Sequence, residues 1–172
     1  AVGVAPPVCP CASLRMRMRS TCALLGLPVR WLCSYPSASL VSFDLLEHNA
    51  SHVASRFLAQ QFPGRFRLIA GDTLQTLKAT AEQGRMGCDI ISVDGGHLAH
   101  VAWNDLVHMR SLASPEHIVI MDDLRCAWWL CEGPTRAWRR AVTANLLVER
   151  DCIVQRCCRG WCTGKFRDPL GA

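Results

Sequence analysis

The sequence of 172 residues lacks an apolar run long enough to cross a membrane, and its first residues lack the continuous apolar stretch of a signal peptide. It also lacks a dense basic stripe, because the lysines and arginines that give it a net charge of +5 are spread along the chain. A nucleic-acid footprint usually needs such a stripe. We therefore expect an intracellular protein, cytoplasmic in location, with neither a membrane nor a nucleic acid as partner.

No two of the eleven cysteines have the CxxC spacing that is typical of structural zinc sites. The chain is also longer than the small secreted domains that depend on disulfides. We therefore expect most cysteines to be reduced thiols, several of them small core residues. A metal cluster or a set of disulfides is the alternative.

Residues 1–19 contain three prolines and an Arg-Met repeat, and they have no pattern of a packed element. We expect a disordered or irregular tail here, with an N-terminus that is truncated or irregular. Residues 20–172 then form one α/β domain, because half of the sequence is apolar and no linker interrupts it. Within that domain, residues 20–27 are interpreted as part of a first helix.

From residue 39 onward a unit recurs, consisting of a short apolar run, an aspartate and a stretch with helical periodicity. The apolar runs are residues 40–43, 66–70, 89–93 and 117–121. Strands that alternate with helices predict a parallel sheet with right-handed crossovers, and continuous β-branched runs are typical of strands buried on both faces. Residues 152–156 and 160–166 predict a final antiparallel strand pair. The predicted fold class is α/β, with a Rossmann-like, mostly parallel sheet.

Three further expectations concern individual side chains. Helical spacing places Val53, Phe57, Leu58 and Phe62 near one face of the first helix after residue 44. Thr73 is expected to cap the next helix. The pair Trp128 and Trp129 is expected to pack against the sheet, and the alternative is that it lines an aromatic or sugar pocket.

All four predicted strands end in an aspartate: Asp44, Asp72, Asp94 and Asp122, with Asp123 adjacent. In a parallel sheet such ends lie along one edge, where open α/β sheets bind ligands. The alternative is ordinary turn chemistry, because aspartate also caps helices and starts turns. Four successive acids favour a ligand site over that alternative.

Two of these strand ends suit a nucleoside. A carboxylate at the position of Asp44 can accept both hydroxyls of a ribose, as in dinucleotide-binding folds. Asp72 and Thr73 are predicted to lie one strand away, within reach of an adenine amino group.

The other strand ends suit a cation and a proton transfer. Asp94, Asp122 and Asp123 offer three hard oxygen ligands, which predict a site for Mg²⁺ or another divalent cation. His97 is a candidate general base, because an imidazole exchanges protons near neutral pH. The alternative is that His97 only bonds Asp94 at a helix start. Gly95 allows the backbone to approach a ligand closely.

The ordered motifs resemble a class I S-adenosylmethionine-dependent methyltransferase domain, in the metal-dependent O-methyltransferase-like branch that includes catechol-type and antibiotic-sugar enzymes. The matching segments are SFD at 42–44, GDT at 71–73, VDGGH at 93–97 and MDD at 121–123. The resemblance implies S-adenosylmethionine and Mg²⁺ or another divalent cation as cofactors, and a small-molecule hydroxyl as methyl acceptor. The cofactor would contact Asp44, Asp72, Thr73 and Gly95. The metal would contact Asp94, Asp122 and Asp123, and the catalytic residues would be His97 and Asp94.

The sequence departs from this family at the glycine-rich loop that follows the first strand. Residues 19–36 contain Gly26 alone and no GxGxG. Two other functions are the alternatives to methyl transfer. A catalytically inactive relic or interaction module needs no such loop, whereas a nucleotide-binding oxidoreductase needs GxGxxG, which is absent.

Overall fold

One sheet of seven strands organises the part of the chain that the computed structural model describes, which is residues 20–24, 32–84, 86–155 and 159–167. The strands are β1 (Ser20–Leu24), β2 (Ser39–Asp44), β3 (Phe66–Ala70), β4 (Cys88–Val93), β5 (Ala113–Met121), β6 (Leu147–Gln155) and β7 (Arg159–Phe166). The helices are α1 (Asn49–Gln61), α2 (Thr73–Glu82), α3 (Ala99–Leu112) and α4 (Glu132–Thr143), with a 3-10 turn at Trp129–Cys131.

The strand order is β3-β2-β1-β4-β5-β7-β6. The first five strands of that order pair in parallel, whereas β7 runs antiparallel to both β5 and β6. The predicted α/β class, the parallel pairing and the C-terminal antiparallel pair are therefore confirmed. The predicted tail at residues 1–19 lies outside the described residues.

The centre of the sheet corrects the expectation of a first helix at residues 20–27. Ser20–Leu24 is a strand, and it pairs with β2 on one side and β4 on the other. The five-residue run STCAL begins with Ser and Thr and has no continuous apolar stretch of the kind that marks β4 and β5, so the pattern of the sequence did not reveal it.

Residues on the two faces of β2 belong to two separate hydrophobic cores, one on each side of the sheet. Leu40 packs with Leu58 of α1 and with Phe62, which follows that helix, whereas Phe43, three positions along β2, belongs to the larger core beneath α2, α3 and α4. Odd spacing puts two strand residues on opposite faces, so helices cover both faces of the sheet. Helix α3 lies between α2 and α4. The stripe of Ala102, Leu106 and Met109 on α3 is buried.

Helix α1 differs from its predicted packing. Val53 and Phe57 are 61% and 48% exposed, so the face of α1 that packs on the sheet is narrower than the apolar spacing indicated. Among the described residues, no helix combines the length and the apolar character needed to cross a membrane.

The expectation that most cysteines are reduced thiols is wrong, because six of the eleven are disulfide-bonded: Cys33, Cys88, Cys126, Cys131, Cys152 and Cys162. Cys126 bonds Cys131 within the loop before α4, and Cys152 bonds Cys162 across β6 and β7. Register explains the second pair, because Cys152 and Cys162 are direct neighbours in the antiparallel ladder. Disulfides are typical of oxidising compartments, and a cytoplasmic location stays a prediction.

Candidate active site

A cavity of about 540 Å³ opens at the carboxyl ends of β2, β3 and β4. It brings together all four residues that the sequence assigned to the cofactor, and its lining includes Asp44, Asp72, Thr73, Asp94 and Gly95. Its volume is in the range of pockets that hold a cofactor-sized molecule. The strand ends therefore share one concave surface, as parallel pairing requires.

Asp44 is fixed by the turn that it starts. Its Oδ1 accepts a hydrogen bond of 2.6 Å from the backbone N–H of Leu46, which has a positive φ of 60°. This Asx-type bond holds one carboxylate oxygen and leaves the second oxygen for a ligand. The backbone N–H of Gly71 donates to the carbonyl of Asp44, which joins the ends of β2 and β3.

Asp72, and not Thr73, caps α2, which corrects the predicted cap. The Asp72 Oδ1 accepts from the backbone N–H of Leu74 at 2.9 Å, and Asp72 has the extended backbone expected of a cap. Thr73 becomes the first residue of the helix. Asp72 therefore has a structural task at the cavity rim beside its predicted contact with adenine.

Asp105 is a buried acid that sequence reasoning did not single out. It lies on α3 with 1% of its surface exposed, and neither carboxylate oxygen has a hydrogen-bond partner among the described residues. Burial raises the pKa of Asp105 from 3.8 to about 6, with a smaller upward contribution from the Asp72 carboxylate. The nearby Thr73 hydroxyl lowers the pKa of Asp105 and so opposes part of this rise, although the two side chains are not placed well enough to form a hydrogen bond.

A signal for Asp105 was present in the sequence. Asp105 follows Ala102 by three positions and precedes Leu106 by one, so it stands within the apolar stripe of α3. An acid in such a stripe predicts a buried carboxylate. This one is close enough to Asp72 and Thr73, which line the cavity, for both to affect its pKa.

A second, smaller pocket adjoins the first and contains the remaining predicted residues. Asp94, Gly95, His97, Asp122 and Asp123 all line it. The His97 Nε2 lies 3.0 Å from the Asp123 Oδ2, and both side chains are about one third exposed. His97 therefore pairs with Asp123, and not with Asp94 as its alternative interpretation proposed.

The loop after β5 turns sharply at Asp123, whose φ is 54°. The Asp122 Oδ1 accepts from the backbone N–H of Asp123 at 2.9 Å, and the backbone N–H of Asp122 donates to the carbonyl of Val93. These bonds hold Asp122 beside the end of β4. The left-handed conformation turns Asp123 out of the strand direction and toward His97.

The three predicted metal ligands line one pocket without forming a ligand cluster. Among the described residues, the one group of three candidate atoms within 4.8 Å of one another is Glu149, Cys152 and Cys162, whose two cysteines are joined in a disulfide. The oxygens of Asp94, Asp122 and Asp123 are more widely spread, and Asp123 is engaged by His97. The donor chemistry suits a hard cation, but this arrangement does not fit one, so the metal site stays a prediction.

Close backbone packing fixes the two loops around this pocket. A Cβ at Gly133 would collide with the carbonyl oxygen of His97, and one at Gly160 would collide with that of Leu124. The backbone N–H of Leu124 donates to the carbonyl of Gly160 at 2.7 Å. Helix α4 and strand β7 therefore press directly against the loops that contain His97 and Asp123.

Glu149 on β6 completes this support and was not predicted. Both of its carboxylate oxygens accept from the Arg125 guanidinium, at 2.7 and 2.6 Å, and one also accepts from the Trp138 Nε1 at 2.6 Å. Trp138 is almost fully buried in α4. A single carboxylate thus joins β6, α4 and the loop after β5.

The sequence matches a family described as "Methyltransferase domain" over residues 19–124, which contain β1 to β5 and every predicted site residue. This match covers more than half of the chain. The chain therefore belongs to that methyltransferase-domain family, and its sheet has the Rossmann-like arrangement of the class I enzymes. A comparison with curated protein sequences finds no match.

Solved structures share this fold at low sequence identity. The O-methyltransferase TomG from Streptomyces achromogenes, in complex with SAM, has a TM-score of 0.66 and 15% identity over 88% of this chain and 74% of that one. A TehB-like SAM-dependent methyltransferase from Corynebacterium glutamicum has a TM-score of 0.58 and 13% identity over 89% and 83%. An O-methyltransferase family 2 protein from Planctomyces limnophilus, in complex with apigenin, has a TM-score of 0.56 and 15% identity over 85% and 50%. The chain thus spans half of that last protein.

Proposed function

We propose that this chain transfers a methyl group from S-adenosylmethionine to a hydroxyl group of a small molecule. The observation that carries the proposal is the cavity at the ends of β2, β3 and β4, which unites Asp44, Asp72, Thr73 and Gly95. Family membership supports methyl transfer, and the O-methyltransferases of similar fold support oxygen as the acceptor atom.

The cavity offers two recognition points for the cofactor. Asp44 has one oxygen held by the Leu46 N–H, so its other oxygen is directed for a ribose hydroxyl. Asp72 and Thr73 stand one strand away at the rim, where an adenine would lie. When bound, S-adenosylmethionine supplies an electrophilic methyl group on a sulfonium.

His97 and Asp123 supply the proton chemistry in this proposal. Asp123 holds the Nε2 side of the ring, so the Nδ1 is directed to accept the proton of the acceptor hydroxyl. The oxygen then forms its bond to the methyl carbon as the carbon–sulfur bond breaks, and the electron pair of that bond stays on sulfur. Asp123 stabilises the imidazolium that results, as a carboxylate does in other acid–histidine pairs.

A divalent cation that assists the same methyl transfer is a more detailed version of this proposal. Of the three predicted metal ligands, Asp123 pairs with His97, and it would have to leave His97 to join Asp94 and Asp122 around an ion. A bound cation would supply a lowered pKa for the acceptor hydroxyl. The His97–Asp123 pair gives a route that needs no such ion, and it is the route that this geometry favours.

A titration with S-adenosylmethionine tests the proposal without knowledge of the acceptor. Saturable heat from the intact chain, competed by S-adenosylhomocysteine, is the expected result. Absence of heat would favour the rival hypothesis, a catalytically inactive methyltransferase-like relic or interaction module. The small-molecule acceptor, and the expectation that neither nucleic acid nor membrane is a partner, stay predictions until such assays are made.

A further inference from the structure

Strands β6 and β7 place two cysteines and a carboxylate around one point outside the candidate active site. Atoms of Glu149, Cys152 and Cys162 that could bind a metal lie within 4.8 Å of one another. The two cysteines are joined in a disulfide, whereas the form of cysteine that binds a metal is the thiolate. The three side chains therefore become a set of metal ligands only when this disulfide is reduced.

The pairing of the two strands holds the cysteines side by side. Cys152 and Cys162 are direct partners in the antiparallel ladder, with their Cα atoms 4.1 Å apart, and the pairing continues on both sides of them. An antiparallel ladder keeps its closer pairs at about 4.5 Å without any covalent bond between them. After reduction, the two thiols should therefore stay next to each other.

An irregularity in β6 brings Glu149 to the same face of the sheet. Between Glu149 and Cys152 the chain of β6 advances three residues, while β7 advances only two, from Gly164 to Cys162. Residues three apart in a regular strand point to opposite faces, but the extra residue of a bulge restores the alternation. The carboxylate therefore lies on the same side as both sulfur atoms.

These donors suit zinc better than a hard cation. Zn²⁺ binds thiolates and carboxylates, and three protein ligands leave a fourth position for water. Mg²⁺ and Ca²⁺ prefer oxygen ligands alone. Cys162 is buried, whereas Cys152 and Glu149 are half-buried, so an ion can enter from the solvent side. A bound cation would also offset the cost of a thiolate at the buried Cys162.

Arg125 competes with an ion for Glu149. Both carboxylate oxygens of Glu149 accept hydrogen bonds from the Arg125 guanidinium, and one of them also accepts from the Trp138 Nε1. An ion would have to displace Arg125 from at least one oxygen. Removal of the Arg125 charge should therefore strengthen metal binding, whereas removal of the Glu149 charge should weaken it.

We infer that Glu149, Cys152 and Cys162 bind a zinc ion once the Cys152–Cys162 disulfide is reduced. A dithiol supplies two electrons and two protons, so the S–S bond breaks, two thiols form and the dithiol closes to its own disulfide. Each thiol then loses its proton as its sulfur binds the ion. This site is independent of the proposed methyl transfer, so its tests need neither S-adenosylmethionine nor an acceptor.

The Cys126–Cys131 disulfide is an internal comparison. It closes the loop that carries Trp128 and Trp129. The expectation that these tryptophans pack against the sheet is wrong, because they are 54% and 73% exposed and line a groove. In the part of the chain that the structure describes, no third candidate ligand lies within 4.8 Å of this cysteine pair. Its reduction should therefore give two thiols without a zinc site.

Alkylation of the unmodified chain tests the inference without a substitution. The chain is reduced with a phosphine under nitrogen, freed of the phosphine and treated with iodoacetamide, with and without Zn²⁺. We expect saturating Zn²⁺ to suppress alkylation of Cys152 and to leave that of Cys126 unchanged, since both are half-buried and only Cys152 has the carboxylate beside it. Trypsin separates the two in peptides 151–156 and 126–136, which mass spectrometry quantifies.

A Co²⁺ titration of the reduced chain tests the ligands one at a time, because thiolate ligands give Co²⁺ an intense charge-transfer absorption. Cys152→Ser should remove this absorption, and Cys126→Ser, the matched control, should retain it. Glu149→Gln should weaken binding by roughly 10-fold or more, since even the loss of an outer-shell partner costs that much. Arg125→Gln should strengthen binding by roughly 2- to 5-fold, the size of a partly exposed ion pair.

Protection of Cys126 to the same extent as Cys152, or an absorption that survives Cys152→Ser, would overturn the inference and assign the ion to other thiols. Unchanged affinity in both Glu149→Gln and Arg125→Gln would overturn the three-ligand site. Loss of the circular dichroism signal of the fold on reduction would overturn it as well, because the ladder would then fail to hold the thiols together. S-adenosylmethionine binding is measured separately, so each of these results leaves the proposed function intact.

Discussion

His97 and Asp123 approach to 3.0 Å across two loops, one after β4 and one after β5. The two residues are far apart in sequence, and the parallel pairing of β4 with β5 brings them together. A histidine oriented by a carboxylate has one nitrogen fixed and the other directed outward. We expect this pair to act as one unit in proton transfer.

His97→Gln should lower the rate of methyl transfer to a catechol-type acceptor by roughly 100-fold or more, the contribution typical of a general base. Asp123→Asn should lower the rate by a similar factor, because the amide can donate to Nε2 and so favour the tautomer whose Nδ1 is already protonated, and because it no longer stabilises the charged ring. Single-turnover rates against pH provide the measurement. His52→Gln on the exposed side of α1 is the control, and an unchanged rate in His97→Gln would remove His97 from the mechanism.

Asp44→Ala should weaken S-adenosylmethionine binding by about 1–3 kcal/mol, because the ribose would lose the carboxylate oxygen that accepts its hydroxyl. Calorimetry measures the change directly. Asp151→Ala, which removes an exposed aspartate on β6, should leave affinity unchanged. Equal effects of the two substitutions would argue against a ribose contact at Asp44.

A Mn²⁺ titration tests the predicted metal ligands. If a cation binds between Asp94 and Asp122, Asp122→Ala should abolish its binding. His97→Ala should leave it intact, because that variant releases Asp123 from its ion pair. Failure of the unmodified chain to bind Mn²⁺ at millimolar concentration would make the metal prediction wrong and leave the histidine route standing.

Asp105 predicts an unusual pH dependence of stability. Its pKa is raised from 3.8 to about 6 in the folded chain, so folding disfavours the ionised form. The free energy of unfolding should therefore fall by up to about 3 kcal/mol as the pH rises through this window, with the full penalty above it. Asp105→Asn should stabilise the chain near pH 8 and make little difference below about pH 4.

Urea unfolding at the two pH values measures this difference. Asp151→Asn serves as the control, because the exposed Asp151 should not alter stability at either pH. The same gain for Asp105→Asn at both pH values would show that its charge is not the cause.

The sequence predicted the outer parts of the parallel sheet well and its centre poorly. The runs at β2 to β5 are dense in apolar residues, which is typical of strands in a parallel sheet that helices cover on both faces. β1 is a five-residue strand without that density, and its pairing on both sides depends on contacts with distant strands. Local periodicity does not contain such contacts.

The residues of the candidate site were also easier to predict than the contacts between them. Its residues could be predicted because each aspartate ends a recognisable strand. The pairing of His97 with Asp123 could not, since it depends on the left-handed turn at Asp123 and on the close approach of α4 at Gly133. Glu149 was missed because its partners, Arg125 and Trp138, lie on other elements.

The contact between Leu124 and Gly160 has a consequence for the order of folding. The loop that carries Asp123 is held by β7, which the ribosome makes after every other strand. The parallel strands can associate earlier, because all five precede residue 122. A nascent chain would thus contain a nearly complete sheet whose proton-transfer pair is still unformed, and the pair would assemble only when the last strand docks.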